Sequence, residues 1–182
     1  MQSNTNSFAA YWDRRMLRIL LLGIISGFPW VLIGSALTLW LKEDGISRST
    51  IGWAGLIFSV YAINFLWAPL IDRIKIPILT SLVGHRKAWI MSMQLIILLS
   101  LVVWSFLSPI DNLGVIVVIG LIIAISSASQ DITIDALRIE QIGKNESAAM
   151  AAGAATAVVG WWSGYKLGGL VTLITADWIQ TL

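Results

Sequence analysis

The sequence has no cysteine and only one histidine, His85, among its 182 residues. That excludes disulfides, thiolate metal centres and any histidine pair for metal or acid–base work. Charge is scarce too: Asp, Glu, Lys and Arg make up 12% of the chain, against about 25% in soluble domains. A Gly-x-Ser-x-Gly elbow and an acid pair placed for hydrolysis are also missing, so the chain is not expected to be an enzyme, and no cofactor or metal is expected. What is present is apolar. Hydrophobic residues make up 57%, ten of the residues are Trp, and mean hydropathy is +0.82. The basic residues fall between long apolar runs rather than on a soluble face, which points to a lipid bilayer and away from nucleic acid.

Five runs reach the roughly 20 residues that a helix needs to cross hydrocarbon. They are Met16 to Leu41, Thr50 to Leu70, Ala88 to Leu107, Leu113 to Ala136 and Ser147 to Ala176. The first is too long for a cleaved signal sequence and is read as a retained helix. Asp177 to Leu182 begin a sixth element that the chain does not finish, so a fragment is expected. The fold class is all-α, a polytopic helical membrane protein, as one bundle over residues 1–182. Nine of the twelve Lys and Arg lie in the N-terminus (Arg14, Arg15, Arg18), the second loop (Arg73, Lys75, Arg86, Lys87) and the fourth connection (Arg138, Lys144). The alternate loops hold two, Lys42 and Arg48, which predicts a cytoplasmic N-terminus.

Within the fourth run lie Ser126, Ser127, Ser129, Gln130, Asp131 and Asp135. A carboxylate at the centre of a spanning helix costs about 2.5–3.5 kcal/mol on insertion scales, so such a group faces a bundle interior or a water path. Asp131 sits about 10 Å deeper than Arg138 at 1.5 Å per residue, whereas Asp135 is three residues from Arg138 and can pair with it on the same helix. Asp131 is therefore the candidate proton-coupling group, since an intramembrane acid can take a proton from one side and release it to the other. In the second loop, Asp72 and Arg73 at a helix end and Arg86 and Lys87 on the return, with Asp135 and Arg138 on the fourth helix, suggest a charge cluster that locks the cytoplasmic side. The competing reading is a bland basic loop. His85 beside them reads as a solvated side chain.

The loop resembles the connection between helices two and three of the major facilitator superfamily, with an apolar insertion before Gly84-His85-Arg86-Lys87. Further strings sharpen the likeness: Ser26-Gly27-Phe28-Pro29, Phe65-Leu66-Trp67-Ala68-Pro69-Leu70-Ile71-Asp72-Arg73, Ser127-Ala128-Ser129-Gln130-Asp131 and Gly164-Tyr165-Lys166-Leu167-Gly168. In order, from about Leu21 to Gly169, the chain resembles the AmpG-type muropeptide permeases. The resemblance implies the N-terminal half of a twelve-helix transporter of the bacterial inner membrane, with five spans and the start of a sixth. Its implied partners are protons, an anhydro-muropeptide and a missing C-terminal half. Two positions depart from the family: Asn64 stands where members commonly carry Lys, and Lys166 where they commonly carry Arg. The first removes a cation; the second keeps charge but loses the bidentate fork suited to a carboxylate.

Tyr61, Asn64, Gln94, Gln130, Trp161, Tyr165 and Lys166, with Asp131, supply the mix of rings, donors and acceptors that a sugar-peptide needs. Lys166 also reads as a snorkelling residue in the outer part of its span, and at most one of Trp161 and Trp162 reads as a ligand platform. Gly160, Gly164 and Gly168 at four-residue spacing predict a close helix–helix approach, with partners that by resemblance include helices of the missing half. Two other functions stay open: import of another amphiphilic anion, such as a CoA ester or a siderophore, and a truncated, non-transporting membrane component.

Overall fold

The computed structural model describes residues 9–143 and 145–180. Lys144 of the charge tally, the polar residues before Ala9, and Thr181 and Leu182 of the expected sixth element lie outside the described residues. Among the described residues every regular element is helical. Four helices are long and apolar enough to cross a membrane: α1 (Arg14–Glu43), α2 (Arg48–Leu66), α3 (His85–Trp104) and α4 (Pro109–Gln141). The expected fifth span is α5 (Ser147–Gln180). It continues past Ala176, where a new element was expected to begin at Asp177.

The helix ends follow local chemistry. Asp13 caps α1, its carboxylate accepting from the Arg15 backbone N–H at 2.8 Å, which satisfies one of the donors left free at a helix start. Pro29 lies inside α1 and brings no N–H to the ladder. Three residues later the helix widens into a π segment over Leu32–Ala36. α2 is broken by 3-10 turns at Gly55–Phe58 and Asn64–Leu66 before a last helical turn at Ala68–Arg73. Pro69 has no N–H to give the Phe65 carbonyl one turn back, which fits that second break. α4 begins at Pro109, earlier than the expected Leu113, but Asn112 has non-helical backbone angles, so the expected boundary survives as a kink.

In lipid there is little hydrophobic drive between helices, so association rests on shape and on internal hydrogen bonds. α1 packs most extensively on α5, and α3 on α4. A core of Ile33, Leu37, Leu41, Ile57, Val60, Ile97, Ile116 and Ile123 fills the space where α1, α2, α3 and α4 meet. Trp67 of the α2–α4 contact donates from Nε1 to Ser129 Oγ at 3.0 Å, and Trp104 Nε1 donates to the Ile116 carbonyl at 3.1 Å.

The α1–α5 seam depends on missing side chains. A Cβ on Gly23 would lie 2.7 Å from the Ala157 carbonyl oxygen and 3.0 Å from Gly160 Cα. A Cβ on Gly160 or Gly164 would overlap the carbonyl of Leu20 or Ile24. The glycine face of α5 thus packs on α1 of the same chain.

Candidate functional site

The seam and α4 together place Asp131. Ser26, one turn after Gly23 and next to Gly27 on α1, is buried and donates from Oγ to Asp131 Oδ1 at 2.5 Å. A cavity of about 270 Å³ opens beside this pair, lined by Gly23 and Ser26 of α1, Asp131, Ile134, Asp135 and Arg138 of α4, and Ala157, Val158 and Trp161 of α5. Asp131 therefore faces a cavity among three helices, as a costly intramembrane acid requires. Asp135 lies toward the end of that cavity, exposed, and pairs with Arg138 at 3.1 Å on its own helix.

Above the cavity sits a set of rings from three helices. Trp30 of α1 packs on Tyr61 (centroids 4.4 Å apart), Phe58 (5.1 Å) and Trp161 (5.6 Å). Trp161 stacks on Tyr165 at 5.6 Å and 10°, while Trp162 meets both edge-on and is otherwise exposed. Such offset and edge contacts hold rings in place. Beyond the rings a second cavity, about 350 Å³, lies between α1 and α5, lined by Val31, Ser35, Leu39, Tyr165, Lys166 and Thr172 among others. Tyr165 OH is 3.2 Å from Ser35 Oγ, and Lys166 Nζ lies 6.0 Å from the Tyr165 ring centroid. Asp131 and Lys166 thus belong to different cavities on opposite sides of the aromatic set.

The structure groups Asp131 with Trp161 at the first cavity and Tyr165 with Lys166 at the second, with Tyr61 in the aromatic set, and adds Ser26, Trp30, Phe58 and Ser35. Ser26 opens the Ser-Gly-Phe-Pro string and Trp30 follows it, the one signal in the sequence that pointed at them. Other candidates lie elsewhere. Gln130 is 0% exposed and lines neither cavity; among the described residues neither of its amide atoms has a partner. Gln94 is exposed on α3, and Asn64 is half-buried at the start of a 3-10 turn whose carbonyl accepts from Trp67 N at 3.3 Å.

The expected charge cluster divides in two. Arg86 bridges Asp72 at 2.5 Å and Glu140 at 3.0 Å, tying the end of α2 to the start of α3 and the end of α4. Asp135 and Arg138 form their own pair, and Arg73 and Lys87 are exposed without an ion-pair partner among the described residues. Glu140 was not anticipated. His85 is not solvated as expected: it is half-buried, and its Nε2 donates to the Ile71 carbonyl at 2.9 Å. A further tie joins the start of α1 to the α4–α5 connection, where Arg15 pairs with Glu146 at 2.6 Å and Asp13 at 2.7 Å and donates to the Gln141 carbonyl at 3.1 Å. Those hydrogen bonds hold both carboxyl groups below their ordinary range.

Among curated proteins, the chain is 40% identical over 141 residues to the protein of Rickettsia bellii named AmpG 1, which covers 78% of this chain and 34% of that protein. It is 36% identical over 160 residues to AmpG 4 of Rickettsia felis (88% and 37%) and 35% identical over 161 residues to the anhydromuropeptide permease of Escherichia coli K12 (88% and 30%). The chain spans about a third of the length of these relatives. No family model matches it, and no solved structure matches it significantly.

Proposed function

The chain belongs to the AmpG-type permease family, and from that premise we propose that it forms the N-terminal half of a secondary transporter importing anhydro-muropeptides with protons across the bacterial inner membrane. The half places its N-terminus in the cytoplasm, and a C-terminal half of the same superfamily type completes the site, since transport sites of such folds lie near the midplane between repeats. The observation that carries the reading is Asp131, hydrogen-bonded to Ser26 and facing a cavity bounded by rings on one side. Asp131 exchanges the coupled proton. Trp30, Trp161 and Tyr165 cover the sugar faces, and Lys166 meets an anionic group in the second cavity. Arg86, Asp72 and Glu140 close the cytoplasmic end in one conformation, with Arg73, Lys87, Asp135 and Arg138 around them.

The test separates coupling from binding. In the complete transporter, Asp131→Asn abolishes uphill, pH-driven accumulation of a disaccharide-peptide while counterflow persists in part, because an amide carries no titratable proton. Accumulation that still follows an imposed pH gradient removes Asp131 from the role. A second reading, import of another amphiphilic anion, draws on Asn64, which leaves α2 without the cation common in the family. Competition binding of CoA esters and siderophores against disaccharide-peptides distinguishes the two.

A further inference from the structure

The connection between α2 and α3 differs from a polar surface loop. Between Arg73 and Gly84 it reads Ile-Lys-Ile-Pro-Ile-Leu-Thr-Ser-Leu-Val, with six Ile, Leu or Val in ten positions and one charge. The α1–α2 connection around Asp44 to Ser47, by contrast, holds one apolar residue, Ile46. Three of these side chains are not folded inward: Ile78 is 79% exposed, Leu82 73% and Ile74 51%. Ile78 and Leu82 are four residues apart on the short helix Leu79–Val83 and its cap, so they share a face.

The backbone holds them out. Ile78 has φ +65° and ψ −55°, and Leu79 N donates across it to the Pro77 carbonyl at 2.6 Å. This is the rare γ-turn with positive φ, which a β-branched residue adopts only under strain. Both flanks are fixed to the first turns of α3. His85 Nε2 bonds the Ile71 carbonyl, and Trp89 Nε1 donates to the Ile74 carbonyl at 2.9 Å. The segment is therefore held level with the end of two spanning helices, at the depth where indole rings settle in a membrane. Arg73, Lys75 and Lys87 around it are exposed and have no ion-pair partner among the described residues, while the nearby Asp72 is already paired with Arg86.

We propose that this connection is a membrane-surface anchor: Ile74, Ile78 and Leu82 enter the interfacial layer of the bilayer, and Arg73, Lys75 and Lys87 meet anionic lipid headgroups. An apolar face rimmed by cations, at the height of the interface, fits an anionic lipid surface better than water. The occupant is lipid rather than protein because the charges that remain are all of one sign, matching anionic headgroups.

The absence of cysteine lets a single introduced thiol report on one position. The full chain, reconstituted in vesicles containing phosphatidylglycerol, is spin-labelled at Ile78→Cys, Leu82→Cys or Ser81→Cys. Collision with oxygen, which partitions into lipid, is compared with collision with a water-soluble nickel chelate. The ratio of oxygen to chelate accessibility at positions 78 and 82 exceeds that at 81 severalfold, and it drops toward the Ser81 value when Arg73, Lys75 and Lys87 are changed together to Gln or when the vesicles are uncharged. Chelate-dominated collision at 78 and 82 places the segment in water and overturns the proposal. Exclusion of both reagents, with an immobile label, places it against protein, either the rest of the permease or a second copy, and also overturns it. A ratio unaffected by lipid charge and by the triple substitution overturns the role of the three cations.

Discussion

Replacing Gly164 by alanine tests how the α1–α5 seam is held. The added Cβ would overlap the carbonyl, and crowd the Cα, of Ile24. The obstacle is backbone, which no rotamer change can relieve, so α1 and α5 have to separate locally. Overpacking of this kind costs about 1–3 kcal/mol. In solution alanine would recover up to about 1 kcal/mol of helix propensity, but a helix that stays helical when it dissociates within a lipid or detergent phase gains little of that. The expected net loss is about 1–2 kcal/mol. Reversible unfolding in mixed micelles, following Trp fluorescence against detergent fraction, measures it. Gly52→Ala and Gly114→Ala are the controls, since nothing lies within 4 Å of a Cβ at either site, and surface changes of that sort stay within about 0.5 kcal/mol. If Gly164→Ala is as stable as the controls, the seam is not the close contact described and the account of how Asp131 is positioned fails with it.

Two further predictions concern the end of the bundle where α1 starts. If the excess of Lys and Arg there sets orientation, single Cys probes at Ser47 and Asn112 label from outside and probes at Ser81 and Asn145 do not; outside labelling at Ser81 inverts the topology. The second is a pH dependence of the Arg15 tie. Because Arg15 hydrogen bonds lower the folded values of Asp13 and Glu146, their contribution is complete above the ordinary carboxylate range, about pH 4. It is lost as pH falls through the lowered folded values. The unfolding midpoint therefore falls more steeply on acidification in the parent than in Arg15→Gln, and equal slopes refute the tie.

Much of the bundle was legible because length and hydropathy are one-dimensional properties. Five apolar runs gave five long helices, and the cost of burying a carboxylate picked out Asp131 before any neighbour was known. What the sequence could not supply was the rotation of each helix about its axis. A helix that is apolar nearly all round has no polar stripe to orient it, so adjacent polar residues cannot be assigned to faces. Gln130 and Asp131 show the consequence. They are neighbours in sequence, yet one lines a cavity and the other is sealed in the bundle. Pairings across long separations were equally invisible: Glu140 joins Arg86 over 54 residues, and the glycines of α5 meet those of α1 across more than 100 positions in sequence.

The placement of the two cavities limits which elements can move. Both lie on the same seam, one beside Asp131 and the other beside Lys166, with Trp30, Trp161 and Tyr165 between them. Parting α1 from α5 would join the cavities, but it would also break the backbone contacts at Gly23, Gly27, Gly160 and Gly164, where no side chain can bridge a gap. Close-packed backbones behave as rigid bodies because their attraction falls off within about 1 Å of separation. α1 and α5 are thus expected to shift as one unit, and the access of each cavity to its own side to change by motion of α4 and α2 against that unit. The ties at the basic end fit this division. Arg86 links α2, α3 and α4 to one another, whereas Arg15 links α1 to the start of α5, so each cluster of charges joins helices on one side of the boundary. The exceptions are the Arg15 contact with the Gln141 carbonyl at the end of α4 and the Ser26–Asp131 hydrogen bond between α1 and α4, both of which such a motion would have to break.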